Sequence, residues 1–139
     1  FFIASETILD INTEISREIA LKKLLVDVRG ELVITFGEKG SIWWKDKIKP
    51  IHIPSIPFNN LYDTTGAGDV FHASFAYFYP QFKDMILALK CSTYCASLST
   101  TFLGTRQKVD YKKDLESTVN KMKESNLFEL PSWLLGRNV

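Results

Sequence analysis

Cysteine, histidine, long apolar runs and charge of a single sign are all scarce in this sequence of 139 residues, and each shortage removes a class of function. Two cysteines and two histidines are too thin a set of soft ligands for a zinc site. No apolar run approaches the roughly 18–20 residues that a membrane span requires. The 17 basic side chains face 16 acidic ones, for a net charge of +1. The lysines at 22–23, 45–49 and 108–123 are interrupted by acids, so the basic stripe of a nucleic-acid binder is missing. Neither nucleic acid nor membrane is expected as a partner.

What is present is 45% hydrophobic and 13% aromatic, enough for one globular unit with a core. Cys91 and Cys95 lie four apart in a helical pattern. They read as small apolar residues on one buried face, reduced as in a cytoplasmic protein. The opening Phe1-Phe2-Ile3-Ala4 resembles a buried strand and has neither Met nor the basic leader of a secretory signal. The chain is therefore expected to be a piece of a longer protein.

Along the chain, residues 1–4 read as a strand. Ile15, Ile19, Ala20, Leu24 and Val28 recur at helical spacing, predicting a helix from Thr13 to Asp27, capped by Asn12 or Thr13 and ended by Gly30. Glu31 to Phe36 is a β-branched run, predicted as a strand buried on both faces. Gly37-Glu38-Lys39-Gly40 turns, and Ser41–Trp44 and Ile48–Ile53 complete a meander. Trp43 and Trp44 point to opposite faces, with one of them expected in the core. Three helices follow, over 68–79 (stopped by Pro80), 83–101 and 111–125. The tail 126–139, with Trp133, reads as a docked extension.

Chemistry is concentrated in Asp63-Thr64-Thr65-Gly66-Ala67-Gly68-Asp69, which runs into the apolar helix Val70–Ala76. Glycines at a loop-to-helix junction let the backbone turn its N–H groups outward, and the helix N-terminus adds partial positive charge. Together they form an anion site. Gly68 is expected to need positive φ there. Asp69, in the first helical turn, reads either as a helix-start residue satisfying the dipole or as a base aimed at the anion. Transfer of a phosphoryl group to an alcohol needs both a charge-holding donor set and a base beside the hydroxyl. Asp63 reads either as the start of an Asx-turn or as a cation ligand. His72, one residue off the Asp69–Ala73 face, reads as a plain exposed histidine.

This heptad resembles the second signature of the PfkB/ribokinase family of carbohydrate kinases, with Ser74 standing where that family has Gly or Ala. The resemblance implies an α/β, ribokinase-like fold, here the C-terminal part of the central sheet with a β-meander and flanking helices. Residues 1–125 would be its nucleotide-binding and catalytic part. It implies an ATP-dependent sugar kinase with a small-molecule sugar and ATP as partners. Asp69 would be the base and Gly66, Ala67 and Gly68 the anion hole. Thr35, Gly37 and Gly40 resemble the family's Thr-x-Gly-x-x-Gly turn beside the ATP phosphates and ribose.

The resemblance further implies Mg²⁺, with Glu6 near the family's Asn-x-x-Glu motif as its organiser, although that motif is not intact and Ile8 stands where an acid is common. It also implies K⁺ held by Asp63 and the carbonyls of Ser99, Phe102 and Gly104. The match covers only the C-terminal part of the family, so the isolated chain is expected to be inactive. An exposed sheet edge would be covered by an upstream part or by a homodimer. The alternative reading is a non-catalytic, kinase-like nucleotide-binding or scaffold module.

Overall fold

The run Glu31-Leu32-Val33-Ile34-Thr35 is the first place to look for a core, because three β-branched or branched apolar residues stand in sequence with no polar break. In the computed structural model, which describes residues 1–12, 14–45 and 48–104, this run is strand β2, and Leu32, Val33 and Ile34 are buried. The described chain divides into two compact units, residues 1–52 and 53–104.

In the first unit, strand β1 (Phe2–Ser5) pairs parallel to β2, with Phe2 opposite Leu32 and Ser5 opposite Thr35. Two parallel neighbours need a crossover, and helix α1 (Arg17–Asp27) supplies it. Strand β3 (Ser41–Lys45) pairs antiparallel to β2, from Glu31 opposite Lys45 to Thr35 opposite Ser41. Strand β4 (Ile48–Ile53) completes the sheet in the order β1-β2-β3-β4. Pro50, which has no N–H for the ladder, sits in this edge strand, where the loss is tolerated. One face of the sheet carries Leu32, Ile34, Ile42 and Trp44, joined by Leu9 and Phe36, with Ala20, Leu21, Leu24 and Val28 of the α1 region packed against them.

The expected helix over 13–27 begins later, at Arg17. Asn12 takes the Glu14 N–H on its own side chain at 3.0 Å and forms a local turn. Ser16 then caps the helix by accepting the Ile19 N–H at 3.4 Å. Position 13 lies outside the described residues. The helix ends at Asp27, with extended Val28 as its cap, and not at Gly30. Both tryptophans are buried, where only one was expected in the core. Trp43 lies opposite Val33 on the second face, and its indole N–H donates to the Glu31 carboxylate at 3.1 Å. Lys45 bridges to the same carboxylate at 2.9 Å, so the ring is covered by an ion pair as well as by apolar neighbours.

The second unit is built on helices α2 (Ala67–Phe82) and α3 (Met85–Ser99), which pack on each other across a short connection. Phe71, Phe75 and Phe78 form the buried stripe of α2. Cys91 and Cys95 are free thiols on the buried side of α3, as the spacing predicts. Burial pushes the Cys95 thiol above its ordinary range, against a contrary pull from its hydrogen bond with Ser74. Ser74, the departure from the family's small residue, thus makes a polar contact inside the helix pair.

Pro80 does not stop α2. It falls in the last turn, where the missing N–H removes a single ladder bond, and the helix runs on to Phe82. The stop is Lys83, in the left-handed region at φ 52°, whose N–H returns to the Tyr79 carbonyl at 2.8 Å. Asp84 then caps α3, accepting the Leu87 N–H at 3.0 Å. The expected helix over 111–125 and the tail lie outside the described residues. Because a side chain in the left-handed region carries a Cβ clash of about 1–2 kcal/mol, Lys83→Gly should raise stability to chemical denaturation by up to about 1 kcal/mol. Lys83→Val should lower it, and equal midpoints for all three proteins would remove Lys83 as the helix stop.

Candidate functional site

Residues 61–69 are held in place by the end of α3. The main-chain N–H groups of Tyr62 and Asp63 both donate to the Thr100 carbonyl, at 2.8 and 3.2 Å. The Asp63 carboxylate then accepts twice: Oδ1 from the Thr65 N–H at 2.9 Å and Oδ2 from the Gly104 N–H at 3.1 Å. The first bond is an Asx-turn, the plainer of the two readings of this residue. The second ties the loop to the segment after α3. These donors, Thr65 first and Gly104 after it, hold the Asp63 carboxyl below the usual carboxylate range.

The chain then turns through Gly66, at φ 79° and ψ 0°, a conformation open to glycine and strained for side chains. The Ala67 N–H closes the turn on the Thr64 carbonyl at 3.2 Å, and the Val70 N–H begins the helix on the Gly66 carbonyl at 2.9 Å. Ala67, Gly68 and Asp69 form the first turn of α2. N–H groups at this position have no acceptor inside a helix and carry the positive end of its dipole. Positive φ falls on Gly66, and Gly68 has helical backbone, contrary to the expectation for Gly68. What glycine gives position 68 is room. A Cβ built there meets no atom within 4 Å, so the flank of the turn is open. Asp69 is exposed at the same turn. Anion donors and a carboxylate therefore share one helix start.

Ser99 and Phe102, whose carbonyls are candidate cation ligands, are linked to each other, the Phe102 N–H donating to the Ser99 carbonyl at 3.4 Å. Gly104 meets Asp63 through its N–H. The stretch from Thr100 to Gly104 is thus brought beside Asp63, with main-chain carbonyls among its oxygen atoms. The tie through the Thr100 carbonyl carries no sequence signal, because any residue can offer a carbonyl. His72 is exposed, as expected, but its Nδ1–H donates to the Gly68 carbonyl at 2.7 Å, which a helical-face argument does not anticipate.

In the first unit, Thr35 ends β2, and its hydroxyl donates to the Ala4 carbonyl at 3.4 Å. Gly37 and Gly40, both at positive φ, close a tight turn in which Phe36 N–H bonds the Gly40 carbonyl at 2.7 Å. His52 Nε2 donates to the Lys39 carbonyl at 2.7 Å and pins that turn. Glu6 starts a short 3₁₀ segment, Glu6–Asp10, and pairs with Arg17 at 2.9 Å. The same guanidinium makes two bonds to Asp10, at 2.7 and 2.5 Å, and holds that carboxyl below its usual range. Ile8 packs on the core where the family pattern has an acid.

The chain is similar to known proteins in sequence and in fold. The pfkB family carbohydrate kinase pattern matches residues 4–111. The chain is 35% identical over 112 residues to a deoxyribokinase of Salmonella typhi, covering 76% of this chain and 36% of that protein. It is 32% identical over 103 residues to a ribokinase of Bacillus subtilis, covering 74% of this chain and 34% of the relative. It thus spans about a third of the length of these curated relatives. Among solved structures, it aligns with an Arabidopsis thaliana ribokinase complexed with ribose and ATP at a TM-score of 0.69 and 27% identity, over 89% of this chain and 40% of that one. A Thermotoga maritima ribokinase aligns at a TM-score of 0.72 and 23% identity, over 85% and 41%, and shares the fold. Over residues 4–111, the chain belongs to the pfkB family of carbohydrate kinases.

Proposed function

We propose that the protein carrying this chain transfers the γ-phosphoryl group of ATP to a sugar hydroxyl, with Asp69 as the base. The observation that carries this reading is the start of α2, where Gly66 turns the chain into the first helical turn and the Asp69 carboxylate stands exposed. The sugar oxygen attacks the γ-phosphorus as the bond to the β,γ-bridging oxygen breaks, ADP leaves, and the hydroxyl proton passes to Asp69. The N–H groups of Gly66 and Gly68, with that of Ala67 once it leaves the Thr64 carbonyl, offset the charge on the moving group.

Thr35, Gly37 and Gly40 are assigned to the nucleotide. Mg²⁺ arriving with ATP would neutralise phosphate charge, with Glu6 as its protein partner once it yields part of its pairing with Arg17. A K⁺ held by Asp63 and the carbonyls of Ser99, Phe102 and Gly104 would favour the anion-binding form of the loop. The relatives' names make a pentose the first substrate to assay. Because positioning two substrates sets the rate, the 139-residue chain alone is expected to be inactive. A non-catalytic nucleotide-binding module is the second reading, favoured by the engagement of Glu6 with Arg17 and by Ile8 in the core.

Four expectations follow for the full-length protein. Asp69→Asn should leave nucleotide affinity nearly unchanged and lower kcat by about 10²-fold or more; a loss under about threefold removes Asp69 from the mechanism and favours the second reading. Gly68→Val fills the open flank of the turn, so it should weaken ATP binding and turnover more than adenosine binding. Equal losses for ATP and ADP with normal turnover count against the anion hole.

For the cation, K⁺ should raise kcat or tighten ATP relative to a large organic cation at matched ionic strength, and Asp63→Ala should abolish that response while sparing part of the basal rate. Identical rates in both salts eliminate the cation site and leave the kinase reading intact. Asp63 also contributes stability without any ion. Its folded-state pKa is depressed, so that contribution is complete above the ordinary carboxylate range and fades as the pH falls through the lower, folded value. The stability gap between wild type and Asp63→Ala should therefore narrow in acid, as followed by thermal denaturation across pH.

A further inference from the structure

We propose that His72 is a positioning residue for phosphoryl transfer, acting through the Gly68 carbonyl to sharpen the main-chain N–H of Asp69 as a further donor to the transferred phosphate, beside the Gly66–Gly68 N–H groups assigned above. The inference rests on the kinase reading above. Its starting point is the 2.7 Å hydrogen bond from His72 Nδ1 to the Gly68 carbonyl. Helical side chains lean toward the N-terminus, and this one reaches the first turn of α2. The buried Phe71 ring meets the imidazole edge-on, at 6.1 Å and 76°, and gives its plane a fixed neighbour. Because the acceptor is a carbonyl, Nδ1 carries the proton, and in the neutral ring Nε2 is left as the acceptor.

The Gly68 carbonyl belongs to the same peptide group as the Asp69 N–H. In an α-helix that carbonyl is also the acceptor of the main-chain N–H four residues on, which is His72 itself. It therefore receives two donors from one residue. Hydrogen bonds to a peptide oxygen polarise the group and strengthen its N–H as a donor, by roughly 10–30% per bond in condensed-phase estimates. The Asp69 N–H occupies the third position of α2 and has no partner within the helix. The gain is thus delivered to a group that the helix leaves without an acceptor. The same bond restrains a turn that two glycines, Gly66 and Gly68, would otherwise leave loose.

The helix supplies its own control. Gln81 Nε2 donates to the Tyr77 carbonyl at 2.8 Å, also four residues back. A glutamine on α2 therefore makes the bond that His72 makes, without the ring and without a titrating group. In the full-length protein, His72→Leu should lower kcat by about 5–30-fold, less than the roughly 10²–10³-fold cost of removing a donor outright. ADP affinity should change little, and His72→Gln should recover most of the rate. In the nucleotide-free protein, the Asp69 amide proton resonance should shift upfield in His72→Leu and return in His72→Gln.

A His72→Leu protein with wild-type kcat overturns the proposal. So does one that loses thermal stability alone, or a glutamine variant that restores neither the rate nor the amide shift. A wild-type protein without turnover, or an Asp69→Asn protein as active as wild type, defeats the kinase reading and the catalytic part of this proposal with it. The amide shift separately reports whether the hydrogen bond acts on Asp69.

Discussion

The Asp63 carboxylate accepts from two main-chain N–H groups, one two residues ahead and the other 41 residues on. Its near bond folds the loop into a turn, and its far bond fastens that turn to the chain leaving α3. The same connection is also joined to the α3 region by the two donors on Thr100 and by the Ile56 N–H on the Ser97 hydroxyl. The left-handed step at Gly66 follows directly from where this loop enters the helix. An ionised carboxylate suits the task because each oxygen accepts independently, whereas an amide would offer one acceptor. The entry of the chain into α2 thus depends on a charged group three residues before Gly66.

The heptad could be found in the sequence because each of its requirements is a residue type: glycine for the turn and for the open flank, and a carboxylate at a helix start. Strand β2 and the meander were legible for a similar reason, since an unbroken apolar run between turn residues leaves little choice. The misplaced features depend on competition between neighbours. Asn12 closes its own turn and leaves the cap to Ser16. Pro80 is tolerated because it falls within a turn of the end, and the ending itself belongs to a lysine that no propensity scale would choose. Trp43 is buried beside an ion pair, a combination that alternation of faces cannot reveal. The Thr100 carbonyl and the ring of His72 act through main-chain atoms, which every sequence offers equally.

The segment after β1 is held by a different kind of contact. Ile8 has joined the core, and Arg17 gathers Glu6 and Asp10 into one exposed cluster. Exposed ion pairs add little to stability individually, but a fork held by two carboxylates fixes the 3₁₀ segment against the start of α1. The loop before α2 presents an exposed carboxylate at a helix start, whereas in this segment one position is apolar and packed and its carboxylates are occupied by Arg17.

The thiols of α3 have a practical consequence. Cys91 and Cys95 lie on the buried side of the helix pair, and burial holds Cys95 largely as the unreactive thiol. A thiolate is the reactive species, so Cys95, packed against Ser74 of α2, is shielded from a soluble alkylating reagent while the helix pair stays closed. The mass added by such a reagent therefore reports how often that packing loosens, without any substrate.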